Sequence, residues 1–274
     1  MKICIKTSEI FDLDKTLSCG QCFRWFKKSD CWVGVVGNCF ASIKQNNGFL
    51  EIDSSLKDKH FWESYFDLNF DYQQAAKSFF SHQSILSQAA KENCGIHILN
   101  QDPWEVLCSF IISQNNNIPR IKSIIDKLCT NFGEKIGTFY TFPTFSRISL
   151  LNLDDLSVIK SGFRAKYILD ASQALQESRI DLRKIKFMNI ERAMECLQTI
   201  KGVGPKVASC TLLYGFHRLE CFPIDTWIKK VLCKYEIDHE KLGNNKGLSQ
   251  IYLFNWSRSH PELFLRAKIQ PGAL

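Results

Sequence analysis

Residues 200–225 read IKGVGPKVASCTLLYGFHRLECFPID, and this stretch decides the fold of the chain. Gly202 and Gly204 bracket a tight turn between two apolar helical patterns, because glycine permits positive φ and close backbone approach. Backbone N–H groups at such a turn can point at a phosphate with no side chain between them. The stretch therefore predicts two helices joined by a hairpin at about residues 190–216, with phosphate contacts at Gly202, Val203 and Gly204.

Lys206 and Asp225 are the residues of this stretch that can carry out chemistry. Pro205 suits the first turn of the second helix, so Lys206 lies near the helix start, where the helix dipole favours a neutral amine. Asp225 precedes a further helical pattern, so it can cap that helix and present its carboxylate beside the amine. Taken singly, these are an ordinary turn, a solvated lysine and a helix cap. Their order and spacing together predict that the amine and the carboxylate act as a pair.

Composition predicts a folded protein with a polyanionic partner. The 274 residues are 45% hydrophobic and 12% aromatic, which is typical of a globular chain. The net charge of +7 falls on residues 94–274, which hold 24 Lys/Arg and 17 Asp/Glu, whereas residues 1–93 hold 11 of each. The sequence has no apolar stretch of about 18 residues for a membrane span. Its N-terminal apolar run is too short for a signal peptide.

The twelve cysteines are scattered through the chain rather than arranged as a small disulfide framework. In a chain of this length they predict a reducing cytosol and mostly buried thiols. Cys19 and Cys22 form a CxxC, but no second pair has zinc-binding spacing, so we predict a structural or incidental role for both and no metal site. No cysteine follows Cys233, which excludes a C-terminal four-cysteine iron–sulfur loop.

Periodicity divides the chain into a sheet part and a helical part. Residues 1–52 alternate apolar and polar positions around turns, with Asn47-Gly48 as a hairpin signal, and so predict strands. From residue 59 onward the spacing is helical. We therefore predict an α+β fold, with a small antiparallel sheet domain and flanking helices at 1–93 and a larger all-α domain at 94–274. The helices expected in the second domain cover 103–114, 118–133, 164–176, 190–200, 205–216 and 226–235.

Four further segments accompany the 200–225 stretch in a characteristic order. They are GQCFRW at 20–25, SQNNNIPRI at 113–121, SGFRAKYI at 161–168 and SQIYLF at 249–254. Together with the hairpin they resemble the 8-oxoguanine DNA glycosylase/AP lyase, or Ogg, branch of the helix-hairpin-helix–Gly/Pro–Asp DNA glycosylase superfamily. The resemblance implies an enzyme that flips 8-oxoguanine out of duplex DNA, excises it through a lysine Schiff base and cleaves the abasic strand by β-elimination.

The same resemblance assigns roles at the lesion. Lys206 would be the nucleophile and Asp225 its electrostatic partner. The pocket for the lesion base would be formed by Gly20, Cys210, Gln250 and Phe254. The Gly20 carbonyl would accept the N7–H that guanine lacks, and Phe254 would stack on the base. The Cys210 thiol would form a dipole with the lysine, and Gln250 would bond the Watson–Crick edge.

The cytosine opposite the lesion would be contacted by four residues: Asn115, Arg120, Phe163 and Arg164. Asparagine can fill the gap in the base stack, and arginine donors match the cytosine acceptors. Phe163 stands where eukaryotic members typically carry Tyr. Trp227 stands where they carry a His that contacts phosphate, so its indole N–H is a candidate DNA contact.

The implied chemistry requires no cofactor, although hairpin carbonyls could hold a structural cation. The expected partner is double-stranded DNA with oxidised guanine. We further expect a monomer in a prokaryotic cytoplasm, associated with the nucleoid. Two alternatives stay open: a monofunctional alkyl-base glycosylase of the same fold, disfavoured by Lys206, and a non-catalytic helix-hairpin-helix DNA-binding protein, disfavoured by the Lys206–Asp225 pair.

Overall fold

The computed structural model describes residues 2–80 and 84–264. The strands are β1 (Ile3–Lys6), β2 (Trp25–Lys28), β3 (Cys31–Val36), β4 (Cys39–Asn46), β5 (Phe49–Ser54), β6 (Lys135–Ile136) and β7 (Phe139–Tyr140). The α-helices are α1 (Leu13–Ser18), α2 (Lys59–Tyr65), α3 (Tyr72–Ala76), α4 (Ile85–Asn93), α5 (Pro103–Ser113), α6 (Ile118–Phe132), α7 (Phe145–Ser149), α8 (Arg164–Gln176), α9 (Leu182–Ile185), α10 (Ile190–Gln198), α11 (Pro205–Gly215), α12 (Thr226–Tyr235) and α13 (Lys246–Ser259). Short 3₁₀ helices cover Lys77–Phe80, Asp155–Ile159, His239–Leu242 and Pro261–Phe264. Residues 1, 81–83 and 265–274 of the predicted domains lie outside the described residues.

The N-terminal sheet is antiparallel, with strand order β1-β5-β4-β3-β2. Asn47 and Gly48 join β4 to β5 with φ values of 48° and 77°, as the two central residues of a type I′ hairpin require. The predicted hairpin is thus confirmed. The prediction of strands throughout 1–52 was wrong at α1, because the Asp12 carboxylate accepts from Lys15 N at 2.8 Å and caps a short helix there.

The remaining chain is helical apart from the small β6–β7 ladder, so the predicted α+β class is confirmed. The helices expected at 103–114, 164–176, 190–200, 205–216 and 226–235 are present within two residues of those bounds. Four of these five helices begin at a capping side chain or a proline, such as Asp102 before Pro103 in α5, whereas α8 has neither. Within the described ranges, no helix combines the length and apolar character needed to cross a bilayer.

Two hydrophobic cores hold the molecule together. One lies between the sheet and α2, around Trp25 and Trp62. The other fills the helical part around α5, whose residues 106–112 are all buried. Helices α3 and α4 precede residue 94, yet Tyr72 and Ala89 belong to this second core. The boundary between 93 and 94 stays a prediction, and the packing adds that the helices just before it share the core of the helical part.

The segment at 20–25 ties the sheet to the helices. Arg24 Nη1 pairs with Glu105 Oε2 on α5 at 3.0 Å, with both side chains largely buried. Gln21 Nε2 donates to the His97 carbonyl at 2.8 Å, and its Oε1 accepts from Leu99 N at 3.0 Å. Removing one partner of such a buried pair leaves an uncompensated charge or polar group. These bonds hold the neighbouring Gly20 in a defined position against the helical part.

Candidate active site

The hairpin between α10 and α11 depends on one glycine in the left-handed region. Gly202 has φ +80°, and a Cβ at this position would lie 2.3 Å from the ring of Tyr167 on α8. Gly204 has φ −93°, so its backbone needs no glycine. The space beside Gly204 is open within 4 Å, however, so the backbone is accessible there. The two glycines therefore serve different purposes: helix packing at Gly202 and an exposed backbone at Gly204.

The start of α11 offers free backbone donors. Gly204 is the N-cap and has no side chain to cap the helix, and Pro205 has no N–H. The first intrahelical bond is made by Ala208 N to the Gly204 carbonyl, at 3.0 Å. The amides of Lys206 and Val207 precede that bond, as expected for the first turn of a helix. Such a helix start attracts an anion through its amides and its dipole.

We expect Gly202→Ala to destabilise the protein, because alanine adds both backbone strain and a clash with Tyr167. The expected loss is about 2 kcal/mol or more in the free energy of unfolding, measured by denaturant titration. Gly204→Ala is the matched control, and its free energy of unfolding should stay within about 0.5 kcal/mol of the unmutated value. Equal stability of the two variants would show that Tyr167 does not constrain the hairpin.

The Lys206 amine lies at the floor of a cleft. Its Nζ donates to Ser113 Oγ at 3.1 Å and lies 4.7 Å from the ring centroid of Phe110. Both contacts come from α5, and the lysine side chain is half-buried. A neutral hydroxyl and an aromatic face thus hold the amine in place.

Asp225 lies in the same cleft as Lys206. It is the N-cap of α12, and its Oδ1 accepts from Ile228 N at 2.8 Å. The two side chains line both parts of the cleft, of about 560 and 320 Å³. No ion pair within 4.0 Å joins these two described residues. The amine and the carboxylate of the predicted pair thus line the same cleft.

The smaller part of the cleft brings together two of the four residues predicted for the lesion base. Gly20 and Phe254 line it together with Lys206 and Asp225. Gly20 has φ +93°, and a Cβ there would lie 3.4 Å from Phe254 Cε1. Alanine at Gly20 would therefore be strained and would press on the ring.

The other two residues predicted for the lesion base, Cys210 and Gln250, lie beneath the surface of the cleft. Burial raises the pKa of the Cys210 thiol to about 11, and the Lys206 ammonium opposes this rise. Gln250 is 4% exposed; its Nε2 donates to the Pro223 carbonyl at 3.1 Å, and its Oε1 accepts from the Tyr214 hydroxyl at 3.3 Å. Both amide ends of Gln250 are thus already bonded.

A separate groove of about 520 Å³ contains two of the four residues predicted to face the opposite base. Arg120 and Phe163 line it, and the Phe163 ring is 49% exposed. Asn115 is exposed in the link between α5 and α6, with φ 46°, which asparagine tolerates better than most residues. All three side chains are exposed, and the Phe163 ring also lies 4.4 Å from the Arg164 guanidinium carbon.

Arg164 has a different position from the other three. It is buried, its Nε donates to the Gln114 carbonyl at 2.9 Å, and its Nη2 donates to the Asn115 carbonyl at 2.9 Å. Its Nη1 donates to the Ser161 carbonyl at 3.0 Å. Burial, together with the nearby Arg120 guanidinium, lowers the pKa of Arg164. These hydrogen bonds from Arg164 hold in place the link between α5 and α6, which contains Asn115.

Trp227 lines both parts of the main cleft. Its ring meets Phe264 edge to face, with centroids 6.0 Å apart, and the Lys230 Nζ lies 5.0 Å from the indole centroid. The Lys230 ammonium thus lies beside the Trp227 indole at the cleft. The family resemblance predicts a phosphate contact at Trp227.

The sequence did not single out several residues that line the cleft. Ser113, Phe110 and Arg258 have no motif of their own, and only Ser113 lies within a quoted segment. Their positions follow from the packing of α5 and α13 against α11 and α12. Of these three residues, only Ser113 could have been predicted from the sequence, because it lies just before the run of asparagines at 115–117.

The twelve cysteines carry free thiols, and six of them are buried, so the prediction of mostly buried thiols holds for half of them. Cys19 and Cys22 are buried, and burial raises the pKa of Cys19 to about 12 and that of Cys22 further. Such thiols are unreactive, in agreement with a structural role. Among residues 2–80 and 84–264, no group of three His, Cys, Asp or Glu side chains is arranged to hold a metal ion.

Two family models match consecutive parts of the chain. Residues 2–107 match the 8-oxoguanine DNA glycosylase N-terminal domain, and residues 108–251 match the HhH-GPD superfamily base excision DNA repair protein. The second match alone covers more than half of the chain, so the chain belongs to the HhH-GPD superfamily of base excision DNA repair proteins. Within that superfamily it belongs to the 8-oxoguanine DNA glycosylase (Ogg) family.

The relatives agree with this membership. A probable N-glycosylase/DNA lyase of Methanothermobacter thermautotrophicus is 31% identical, over 90% of this chain and 94% of that protein. The N-glycosylase/DNA lyase OGG1 of Arabidopsis thaliana is 28% identical, over 81% of this chain, and the match spans only 66% of the plant protein. The chain therefore spans nearly the whole archaeal relative and just under two thirds of the plant one.

A solved structure has the same architecture. The Clostridium acetobutylicum 8-oxoguanine glycosylase/lyase, in complex with double-stranded DNA containing cytosine opposite 8-oxoguanine, is 31% identical with a TM-score of 0.88. The match covers 95% of this chain and 96% of that chain. The fold similarity thus extends over both the sheet and the helical part.

Proposed function

We propose that Lys206 and Asp225 carry out the two reactions of this family: excision of 8-oxoguanine from duplex DNA and cleavage of the resulting abasic strand. The chain is a bifunctional DNA N-glycosylase and AP lyase of base excision repair, as its family and its lyase relatives indicate. The single observation that carries the assignment of residues is one cleft lined by Gly20, Lys206, Asp225 and Phe254. An amine, a carboxylate, an accessible backbone and an aromatic ring there meet the needs of the reaction.

DNA binding comes first. The uncapped start of α11 and the open backbone at Gly204 support a phosphate contact at the hairpin. Phosphate contacts supply most of the affinity and orient the duplex. The damaged nucleotide then leaves the stack and enters the cleft, at the cost of a few kcal/mol for unstacking.

The chemical steps follow from the two side chains. The neutral Lys206 amine attacks the sugar C1′, forming a C–N bond as the glycosidic bond to the base breaks. Asp225 stabilises the positive charge that develops on the sugar. Ring opening gives a Schiff base, and loss of a C2′ proton then expels the 3′ phosphate. Water finally hydrolyses the imine and releases the enzyme.

Recognition of the base is assigned to the walls of the cleft. The Gly20 carbonyl accepts the N7–H of 8-oxoguanine, and the Phe254 ring stacks on the base. Gln250 bonds Pro223 and Tyr214 with one donor and one acceptor site of its amide, so a second donor and a second acceptor site remain for a Watson–Crick edge. Cys210 acts from beneath the lysine rather than at the cleft surface.

Further properties complete the proposal. Schiff-base chemistry needs no cofactor, and backbone carbonyls at the hairpin could hold a structural cation through oxygen ligands. DNA is the partner that the family and the Clostridium complex indicate. We propose that the protein acts as a monomer in the cytoplasm of a prokaryote, at the nucleoid.

The experiment that tests the function uses duplexes with 8-oxoguanine opposite each of the four bases, incubated with and without borohydride. A strand nick and a trapped covalent adduct are expected. Base release without an adduct would favour the monofunctional alternative, in which Asp225 activates water. Binding with neither product would favour the non-catalytic alternative.

We predict that cytosine is the preferred base opposite the lesion. A hydrogen bond to a charged donor is worth about 1–3 kcal/mol, or roughly tenfold or more in rate if it is expressed in the transition state. Arg120 lies free in the groove beside Phe163, so Arg120→Ala should flatten the preference. Phe163→Tyr should sharpen it, because the added hydroxyl can bond the base. Single-turnover excision from duplexes with C, T, G or A opposite the lesion measures both effects.

Arg183→Ala is the control for the opposite-base prediction, since Arg183 is exposed outside this groove and pairs with Asp181. It removes the same charge and should leave the ratio of the four rates unchanged. Equal rates for all four bases in the unmutated protein, unaffected by Arg120→Ala, would show that the groove does not read the opposite base.

A further inference from the structure

Arg258 lines the smaller part of the cleft, together with Gly20 and Phe254. It belongs to none of the sequence motifs and has no role in the mechanism proposed above. It is on α13, four residues after Phe254, and its guanidinium carbon lies 5.4 Å from the Phe254 ring centroid. A Cβ built on Gly20 would lie 3.7 Å from Arg258 Nη1. The guanidinium is thus at the wall formed by the two residues proposed to touch the lesion base.

The guanidinium of Arg258 has unused donors. It is half-buried, and no hydrogen bond or ion pair joins it to another of the residues that the structure describes. An arginine carries five N–H donors in a planar fork. By contrast, Arg24 and Arg164 are held by protein acceptors. A half-buried cation with free donors in a ligand cleft points to an oxygen acceptor on the ligand.

We propose that Arg258 is a specificity-determining residue, which orients Phe254 for stacking and donates to the C8 carbonyl oxygen of 8-oxoguanine. This inference rests on the proposed function, in which the Gly20 carbonyl accepts the N7–H. C8 is bonded to N7 in the base, so a donor beside Gly20 is within reach of the C8 oxygen. Guanine carries hydrogen at C8 and offers no acceptor there. A charge-assisted bond made to the lesion alone adds discrimination against the undamaged base.

The test compares two reactions of the same enzyme. Arg258→Met keeps a long apolar side chain beside Phe254 and removes the donors. We expect single-turnover excision of 8-oxoguanine opposite cytosine to fall by about 10- to 100-fold. Cleavage of a preformed abasic site opposite cytosine should stay within about twofold, because that substrate has no C8 oxygen.

Two further variants make the comparison decisive. Arg258→Lys keeps the charge and loses the planar fork, so excision should fall by a smaller factor while abasic cleavage is again retained. If the Met variant does not fold, as judged by its thermal unfolding, the Lys variant decides the question alone. Lys59→Met, on the exposed side of α2, removes one charge outside the cleft and should change neither reaction.

Equal losses in excision and abasic cleavage would show that Arg258 binds the DNA backbone, and unchanged excision in both variants would show that it binds nothing; either result overturns the inference. If the unmutated protein forms no borohydride adduct, the proposed function itself fails. An active, trappable enzyme that is indifferent to Arg258 would therefore refute this inference alone.

Discussion

Lys206→Gln is expected to abolish both base excision and borohydride trapping, with the excision rate reduced at least about a thousandfold. A glutamine amide cannot form the C–N bond to C1′ or a Schiff base. Its amide can still bond Ser113 Oγ, to which the lysine Nζ donates at 3.1 Å, so the cleft should keep its shape. Single-turnover excision of 8-oxoguanine and adduct formation on a gel measure the loss, and fluorescence anisotropy checks that duplex binding persists.

Lys201→Gln is the matched control for this experiment. Lys201 lies on the same hairpin, and its side chain is 81% exposed, outside the cleft. This variant loses the same charge and should still form the covalent adduct. An adduct formed by Lys206→Gln at the rate of the control would assign the nucleophile to another residue.

The second large effect is expected for Asp225→Asn, which should slow excision by about 100- to 1,000-fold while the fold is kept. Asparagine caps helices as well as aspartate does, so the bond to Ile228 N at 2.8 Å can be retained. The substitution removes the charge that stabilises the developing sugar cation. Single-turnover kinetics and the thermal unfolding midpoint together separate the lost charge from a lost cap.

Asp102→Asn provides the comparison for Asp225→Asn, because Asp102 caps α5 in the same way, accepting from Glu105 N at 2.8 Å. It lies outside both parts of the cleft, so its excision rate should match that of the unmutated protein. If both aspartates tolerate asparagine equally, Asp225 acts as a helix cap and not in the chemistry.

Most of the correct fold predictions came from short sequence patterns at turns and helix starts. Asn47-Gly48 specified a hairpin, and Asp102-Pro103 specified the start of α5, because turns and caps depend on neighbouring residues. The helix α1 was missed because the strand pattern around it was given more weight than its cap at Asp12. Helix α4 shares one hydrophobic core with the later helices, and no short pattern in the sequence predicts that packing.

The cleft was predictable where chemistry requires a particular residue type. Lys206 and Asp225 could be found from their order around a glycine hairpin, and Gly20 and Phe254 from motifs on other elements. Arg164 stays a predicted base contact, and the sequence did not indicate that its guanidinium also bonds the carbonyls of Gln114, Ser161 and Asn115. The partners of a side chain depend on elements distant in sequence.

The sequence by itself determined the α+β class, the hairpin, the lysine–aspartate pair and the family, because each is written in short patterns of residue type and spacing. Tertiary structure alone decided what surrounds that pair. Ser113 beneath the amine, Gln250 bonded behind the cleft and Arg258 beside Gly20 result from the packing of α5, α11 and α13. The physical reason is that caps and turns act over a few residues, whereas burial, cleft shape and hydrogen-bond partners arise between elements far apart along the chain.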